Sequence, residues 1–584
     1  MVCNVGGHMK KLLRFLSAYK KETILAPLFK LLEASFELFV PLVMASIIDK
    51  GIPNNDFGHI GKMGAVLVLL AAVGLTASLT AQYFSAKAAV GFSTKLKKEL
   101  FAHIQRLSFG DMDRVGTSTM ITRMTSDVNQ VQNGVNLVLR LFLRSPFIVL
   151  GAMIMAFTID VKAALVFVVA IPLLCLVVFG VMLISIPLYK KVQGALDQIL
   201  GRTRENLTGA KVLRAFNKQE EEREQFEVDN EALNRVQTTV GKISALMNPI
   251  TYVIINGATI ALLWIGAIRV DNSIITQGEV VALVNYMSQI LVELVKLANL
   301  IVSVNKAVAC GNRIQEIFEI QPGLEETTNP IEAEWEQEEI VSFEHVGLIY
   351  PGAKEEALTD ISFVAKKGET IGIIGGTGSG KTSLVHLIPR FYDITSGTLK
   401  ICNVEVSKHS LQELRNKVGI VLQKSVLFQG TIRSNLLWGK EDATEEEMWN
   451  ALRIAQAEEI VRKKDKGLDE PVEQEGRNFS GGQRQRLSIA RALVRRPDIL
   501  ILDDSASALD YATDAALRKA IREELKDMTL FIVSQRAASV RNADKIIVLD
   551  DGEVVGLDTH EGLLKSCEVY REIYESQYGK EEWA

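Results

Sequence analysis

The run Gly375-Gly376-Thr377-Gly378-Ser379-Gly380-Lys381-Thr382, followed by Ser383, has the residue types needed to hold a polyphosphate. Glycines let backbone N–H groups close around phosphate oxygens, Lys381 supplies positive charge at the β and γ positions, and the Thr382 hydroxyl can ligate Mg²⁺. A second group is Ile499-Leu500-Ile501-Leu502-Asp503, a strand-like apolar run ending in a carboxylate that can hold Mg²⁺, with Asp504 next to it. The third is Asn478-Phe479-Ser480-Gly481-Gly482-Gln483 ahead of the helix-compatible RQRLSIARALVRR.

These groups need a rigid frame, and residues 340–584 read as one. Short β-branched strands such as ETIGIIG and DILILDD alternate with helical segments, the pattern of an α/β domain with a mainly parallel sheet. Strand 370–374 runs directly into the glycine run, and SLVHLIPRF continues as a helix, which is the context a phosphate loop requires. Residues 321–339, QPGLEETTNPIEAEWEQEE, carry proline and many acids without periodicity and read as a linker.

Residues 1–320 have a different texture. The chain of 584 residues is 48% apolar with 42 glycines, which makes about 55% on the scale where soluble domains run at roughly 45–50%. Apolar runs near 24–48, 63–89, 135–158, 162–188, 248–268 and 277–304 are each long enough to cross a bilayer, which takes about 20 residues. The connections after the second and fourth runs are long and basic, as in KLKKELFAHIQR and YKKVQGALDQILGRTR. The positive-inside rule therefore puts these loops, both termini and the α/β domain in the cytosol of a multi-pass protein of the cytoplasmic membrane. Helical spacing continues through 91–108 and 196–246, so the spanning helices are expected to project about 25–30 Å beyond the membrane as levers. The N-terminal MVCNVGGHMKKLLRFLSAYKK reads as an interfacial amphipathic helix and not as a cleaved signal. Met9, ahead of Lys10 and Lys11, is an alternative start to Met1.

Several function classes drop out. A net charge of −5 argues against a nucleic-acid binder. Cys3, Cys175, Cys310, Cys402 and Cys567 are scattered, with no spacing of a disulfide framework or a zinc site. Ionisable residues inside apolar runs are costly in lipid and point to function or to structural pairs. Lys30, Glu33 and Glu37 share one face of the first run, with Glu33 about 13 Å deep. Arg140 and Arg144 in the third, and Glu293 and Lys296 in the sixth, are further candidates to line a cavity, with Asn285, Tyr286 and Gln289.

With phosphate loop, signature-like run and terminal Asp in this order behind six spans, the chain resembles a half-transporter of the ATP-binding cassette (ABC) exporter superfamily. The resemblance covers nearly the whole chain and implies ATP and Mg²⁺ as ligands. It implies that Tyr350 stacks on adenine and that Gln423 senses Mg²⁺ and faces the membrane domain. Ser480, Gly481, Gly482 and Gln483 would close on the γ-phosphate of ATP held by an opposite subunit. It also implies that Glu475-Gly476-Arg477 touches the coupling helices, that Ala508-Leu509-Asp510 crosses the dimer interface, and that residues 111–122 and 209–216 are the two coupling helices.

Two departures from that family stand out. Asp504 occupies the place of the usual glutamate that polarises the attacking water, one methylene shorter, and Gln535 replaces the switch histidine, so it cannot carry imidazole's charge. A misplacement near 1 Å can cost about a hundredfold in rate. The expected outcome is a site that binds ATP and hydrolyses it slowly, resembling the degenerate-site subunit of heterodimeric bacterial multidrug exporters, with an intact signature lent to a partner that keeps Glu and His. That resemblance favours hydrophobic or amphipathic cargo. Lipid or peptide export by a homodimer and a nucleotide-sensing regulatory subunit are the alternatives, and no peptidase domain is expected ahead of the spans.

Overall fold

The computed structural model describes residues 9–578 except 10, 325, 328, 506 and 507. Residues 1–8, with Cys3 and the choice of start at Met1, lie outside the described residues, as do Lys10 and two positions of the expected linker. The chain divides into two compact units. One joins Met1–Gln105 to Ser118–Glu319, and the other joins Arg106–Thr117 to Ile320–Ala584.

Six candidate spans make up the first unit among the described residues: Leu13–Gly51, Phe57–Ile104, Thr117–Ile159, Val161–Thr208, Gln219–Asp271 and Gln277–Glu319. The expected levers are present as the long helices Phe57–Ile104, Val161–Thr208 and Gln219–Asp271, but the expected helical stretch 196–246 is interrupted by the separate short helix Ala210–Ala215, and the stretch 91–108 ends at Ile104. The 48 residues of Phe57–Ile104 reach about 70 Å, more than twice a hydrocarbon core of about 30 Å. This helix starts where the Asp56 carboxylate accepts from the His59 N–H at 2.9 Å. Between residues 77 and 89 its buried positions, Ala77, Ala81, Ser85, Ala88 and Ala89, are all small, which lets a neighbouring helix approach closely, and larger residues from Phe92 to Ile104 take over beyond them. Lys20–Ser46 packs on this helix, Val161–Thr208 packs on Gln219–Asp271, and Gln277–Glu319 runs along Val128–Leu141 and Arg144–Ile159.

Ion pairs lock helix ends. Asp127, in the π-helical turn Arg123–Asp127, is 3% exposed and accepts from Arg313 at 2.6 and 3.0 Å and from Arg123 at 3.0 Å. Asp160 caps Val161–Thr208 through the Ala163 N–H and pairs with Arg269. The N-terminal segment forms the 3₁₀ helix Leu13–Tyr19, with Leu12 and Phe15 buried and the Phe15 ring 6.1 Å from Phe318.

The second unit is the expected α/β domain. A six-stranded sheet runs in the order Glu553–Asp558, Lys545–Asp550, Thr370–Gly375, Thr529–Val533, Ile499–Asp503, Val418–Val421, parallel except for the first pair. Because side chains alternate, Leu500, Leu502, Leu530 and Ile532 enter one core while Ile499, Ile501, Phe531 and Val533 enter another, so both faces are buried. A second sheet of Leu358–Lys366, Glu339–Leu348, Ser396–Ile401 and Val404–Glu405 is antiparallel.

Three expected boundaries are corrected. Residues 106–117 belong with the second unit and not with residues 1–320: Phe109 sets its ring 4.6 Å from Phe391, and the Gly323 N–H donates to Asp111 at 2.9 Å. The expected coupling segment 111–122 is two helices, Phe109–Val115 and Thr117–Thr122, divided at Gly116, whose φ of +81° favours glycine. The linker is shorter than 321–339. The Ile331 N–H donates to the Lys408 carbonyl, Ala333 and Trp335 pack on the domain, and Glu339 opens a strand. Alternating apolar residues at 331, 333 and 335 were hidden among acids.

Candidate nucleotide site and membrane pocket

Strand Thr370–Gly375 delivers the chain into the glycine run, and helix Lys381–Leu387 leaves it. Gly378 and Gly380 both hold φ of +89°, a left-handed backbone that other residues adopt only at a cost. A Cβ on Gly380 would stand 2.8 Å from the Ala357 carbonyl. The loop curls around the Lys381 ammonium, which donates to the carbonyls of Gly375 and Gly376 and to Ser379 Oγ at 3.3 Å. Burial pushes this ammonium below its ordinary pKa, opposed by Asp504 and Asp503.

Around the loop lies a pocket of about 360 Å³ lined by residues 377–383, Tyr350, Gln423, Asp503, Asp504 and Gln535. The sequence-expected residues thus come together from strands and loops far apart in the chain. Gly375 and Gly376 contribute through their carbonyls. Thr382 Oγ1 donates to Asp503 Oδ1 at 3.0 Å, a hydroxyl and a carboxylate arranged as hard oxygen donors for one divalent cation. Burial raises the Asp503 carboxyl above its ordinary value, with Asp504 adding to the effect and Thr382 and Lys381 opposing it. A divalent cation would reverse that penalty, so the donor set fits Mg²⁺.

Asp504 has φ of +45° and its N–H bonds to the Val533 carbonyl, while its Oδ2 accepts from Gln423 Nε2 at 3.2 Å. Gln535 is exposed, on the loop after strand Thr529–Val533. The Tyr350 hydroxyl donates to Ser383 Oγ at 2.8 Å, and its ring meets Tyr392 edge-on at 5.0 Å.

Other lining residues were not anticipated: Glu356, Asp551 and Gly552 come from turns with no motif. Nor was the aromatic support beneath the site, where Tyr392 donates to Asp113 Oδ2 at 2.8 Å and His386 Nε2 lies 3.6 Å from Asp503 Oδ2. Burial lowers the His386 pKa, which keeps the imidazole neutral. The aromatic pair Phe391-Tyr392, directly after the loop's helix, was the available signal.

Ser480, Gly481, Gly482 and Gln483 do not line this pocket. Ser480 caps helix Gly481–Leu493 in a capping box with Gln483, and Ser480 and Gly481 are exposed. Asp510 caps Tyr511–Glu524 through Thr513.

In the membrane unit, Glu37, Asn285, Gln289, Glu293 and Lys296 line a pocket of about 500 Å³ with Val40, Met44 and Ile148. Tyr286 is a correction: it is fully buried, and its hydroxyl donates to the Leu38 carbonyl at 2.7 Å, so it faces the helix packing and not the cavity. Lys30 and Glu33 pair with each other at 2.5 Å and lie outside the pocket lining, as does Arg140. Arg144 stands behind the wall, bonded to both Glu37 and Glu293. Of the two expected coupling segments, the second is helix Ala210–Ala215, with no buried residue.

Comparison with known proteins agrees with this architecture. A family model described as the ABC transporter transmembrane region matches residues 23–294, and one described as ABC transporter matches residues 358–507. An uncharacterized ABC transporter ATP-binding protein of Bacillus subtilis is 36% identical over 573 residues, which is 98% of this chain and 99% of that one. A Bacillus subtilis protein named as a probable multidrug resistance ABC transporter ATP-binding/permease protein is 34% identical over 83% of this chain and 72% of its own length. Among solved structures, a bacterial Atm1-family ABC exporter with ATP bound superposes with a TM-score of 0.79 at 20% identity, covering 97% of this chain and 99% of that one.

Proposed function

The chain belongs to the ABC transporters, as a six-helix membrane domain fused to one ATP-binding domain, and on that premise we propose that it is the slow-hydrolysing half of a heterodimeric exporter of hydrophobic or amphipathic compounds across the cytoplasmic membrane. The observation that carries this reading is the composition of the nucleotide pocket. Its binding residues Lys381, Thr382, Asp503 and Tyr350 stand beside Asp504 and Gln535, two departures on the catalytic side. Such a site retains affinity and loses rate.

Backbone N–H groups of the glycine loop and the Lys381 ammonium hold the phosphates, and Tyr350 stacks on the base. Thr382, Asp503 and Gln423 hold Mg²⁺, which, when bound, neutralises charge on the β and γ oxygens. Asp504 must orient the attacking water with a carboxylate one methylene short of the family's glutamate, and Gln535 can donate a hydrogen bond to the γ-phosphate without adding positive charge. Ser480, Gly481, Gly482 and Gln483, at a capped helix start with Ser480 and Gly481 exposed, complete the site of a second subunit.

Two exposed surfaces support an assembly: Val212 and Phe216 at the short helix Ala210–Ala215, and Phe428 stacked on Trp438 at 4.1 Å. Both place apolar side chains where a partner subunit would cover them. Closure of two ATP-binding domains, transmitted through the helical levers, opens the cavity outward. Hydrolysis at the partner's site resets it.

The test is ATPase activity of purified membranes carrying this chain alone, with a second half-transporter that has Glu and His at the two departed positions, and with Asp504→Glu plus Gln535→His. Negligible turnover alone that rises strongly with the second subunit is expected. Robust turnover by the unmodified chain alone would make a homodimer the correct reading, and ATP turnover without movement of any compound into inside-out vesicles would make the chain a regulatory subunit.

A further inference from the structure

Four charges around the membrane pocket form one chain of ion pairs. Glu37 Oε2 accepts from Arg144 Nη2 at 2.7 Å, Arg144 Nη1 donates to Glu293 Oε1 at 2.7 Å, and Lys296 Nζ donates to that same oxygen at 2.8 Å. Glu293 is 2% exposed, and its other oxygen accepts from Ser145 at 2.7 Å, so three of its roughly four acceptor positions are taken and little of it is open to a ligand. The ends of the chain differ. The side chains of Glu37 and Lys296 are 41% and 42% exposed, both line the pocket, and each has hydrogen-bonding capacity beyond its one partner here. Gln289 Oε1, on the same wall, is buried without a hydrogen-bond partner. Val40, Pro41, Met44, Ile148 and Val292 form an apolar wall. A volume of about 500 Å³ lies within the range of small-molecule sites.

The four charges sum to zero. A ligand with a single charge would complement only one of the two opposite charges at the ends of this neutral cluster, while a purely apolar one would leave both half-used ionic groups without a partner. A zwitterion does neither. We propose that this pocket binds zwitterionic amphipaths, with the cationic group against Glu37, the anionic group against Lys296, and the hydrocarbon body along Val40, Met44 and Ile148. The inference names the ligand class of the transport reading above and rests on it for its biological sense, but the binding itself requires no ATP turnover. A lipid headgroup and a free amphipath share this chemistry.

The experiment measures binding of three probes with the same twelve-carbon chain, lauryl betaine, dodecyltrimethylammonium and dodecanoate, to the full-length protein in phosphatidylglycerol nanodiscs without ATP, over protein-free nanodiscs. The betaine is expected to bind about tenfold more tightly than either single-charge probe. Glu37→Gln leaves the cluster positive and shifts preference toward dodecanoate. Lys296→Gln leaves it negative and shifts preference toward the cation. Ser288→Trp fills the pocket without changing charge and abolishes betaine binding. The proposal is overturned by equal affinity of the wild type for betaine and cation, by charge variants that weaken all three probes alike, or by unchanged betaine binding in Ser288→Trp. Competition by added phosphatidylcholine identifies a lipid headgroup as the occupant, and retained binding identifies a free amphipath; either outcome upholds the zwitterionic class. Slow or absent hydrolysis leaves this result untouched, so it can fail separately from the ATPase reading.

Discussion

Asp504→Glu tests the reasoning about the nucleotide site most directly. Asp504 Oδ2 stands 3.2 Å from Gln423 Nε2, at the end of a strand whose last residue, Asp503, meets Thr382 at 3.0 Å. One added methylene extends the carboxylate by about 1.5 Å. A misplacement near 1 Å is worth roughly a hundredfold in rate, or about 2.7 kcal/mol of barrier, and this is the gain expected in turnover at the chain's own site. The backbone opposes it slightly. Asp504 lies at φ +45°, where Asp is tolerated better than longer side chains, so the variant should lose about 1 kcal/mol of stability or less. The assay is phosphate release by the purified complex of this chain with a second subunit whose own phosphate-loop lysine is changed to alanine, with Lys381→Ala as background and the melting temperature followed in parallel. A rise below about threefold would show that carboxylate length does not limit the rate. An Asp504→Asn variant as active as the wild type would remove Asp504 from the chemistry altogether.

Asp503→Asn should raise the melting temperature of nucleotide-free protein at neutral pH while abolishing its Mg²⁺-dependent gain with ATP. Burial raises the Asp503 carboxyl above 3.8, so the folded state holds that proton more tightly and stability falls as pH climbs from below 3.8 through the raised value. The variant's melting temperature should therefore be flatter across that acid window. Tyr350→Ala should weaken ATP binding about tenfold, because base stacking on an aromatic ring is worth about 1–3 kcal/mol, whereas Tyr392→Phe removes only the 2.8 Å bond to Asp113 and should cost about 1 kcal/mol of stability at unchanged affinity in a titration with fluorescent ATP. Asp127→Ala leaves Arg123 and Arg313 without their shared carboxylate and should destabilise the membrane unit by about 3 kcal/mol, seen as a lower melting temperature in detergent; a shift under one degree would show that the pairs contribute nothing net.

The motif residues that line the candidate nucleotide pocket and the six spans were legible because each depends on a short contiguous window. A glycine run between strand and helix, four apolar residues ending in Asp503, and twenty apolar residues in a row state their own backbone requirements. The same holds for the levers up to Ile104, up to Thr208 and from Gln219 on, since helical spacing needs no partner to be read; the break between Thr208 and Gln219 was not visible in that spacing. Tyr286 was misplaced because a phenol in an apolar helix can face water or a neighbour's carbonyl, and only the azimuth of Gln277–Glu319 against Lys20–Ser46 turns it onto the Leu38 carbonyl. Trp335 went unread because acids mask a period of two. Residues 106–117 joined the ATP-binding unit because Phe109 finds Phe391, 282 positions away in the chain. Local composition and spacing by themselves determined that the chain crosses a membrane and binds a nucleotide. The neutral cluster of Glu37, Arg144, Glu293 and Lys296 was decided by tertiary structure alone, since side chains up to 149 positions apart meet only where helix packing brings their faces together, and no window of sequence contains that geometry.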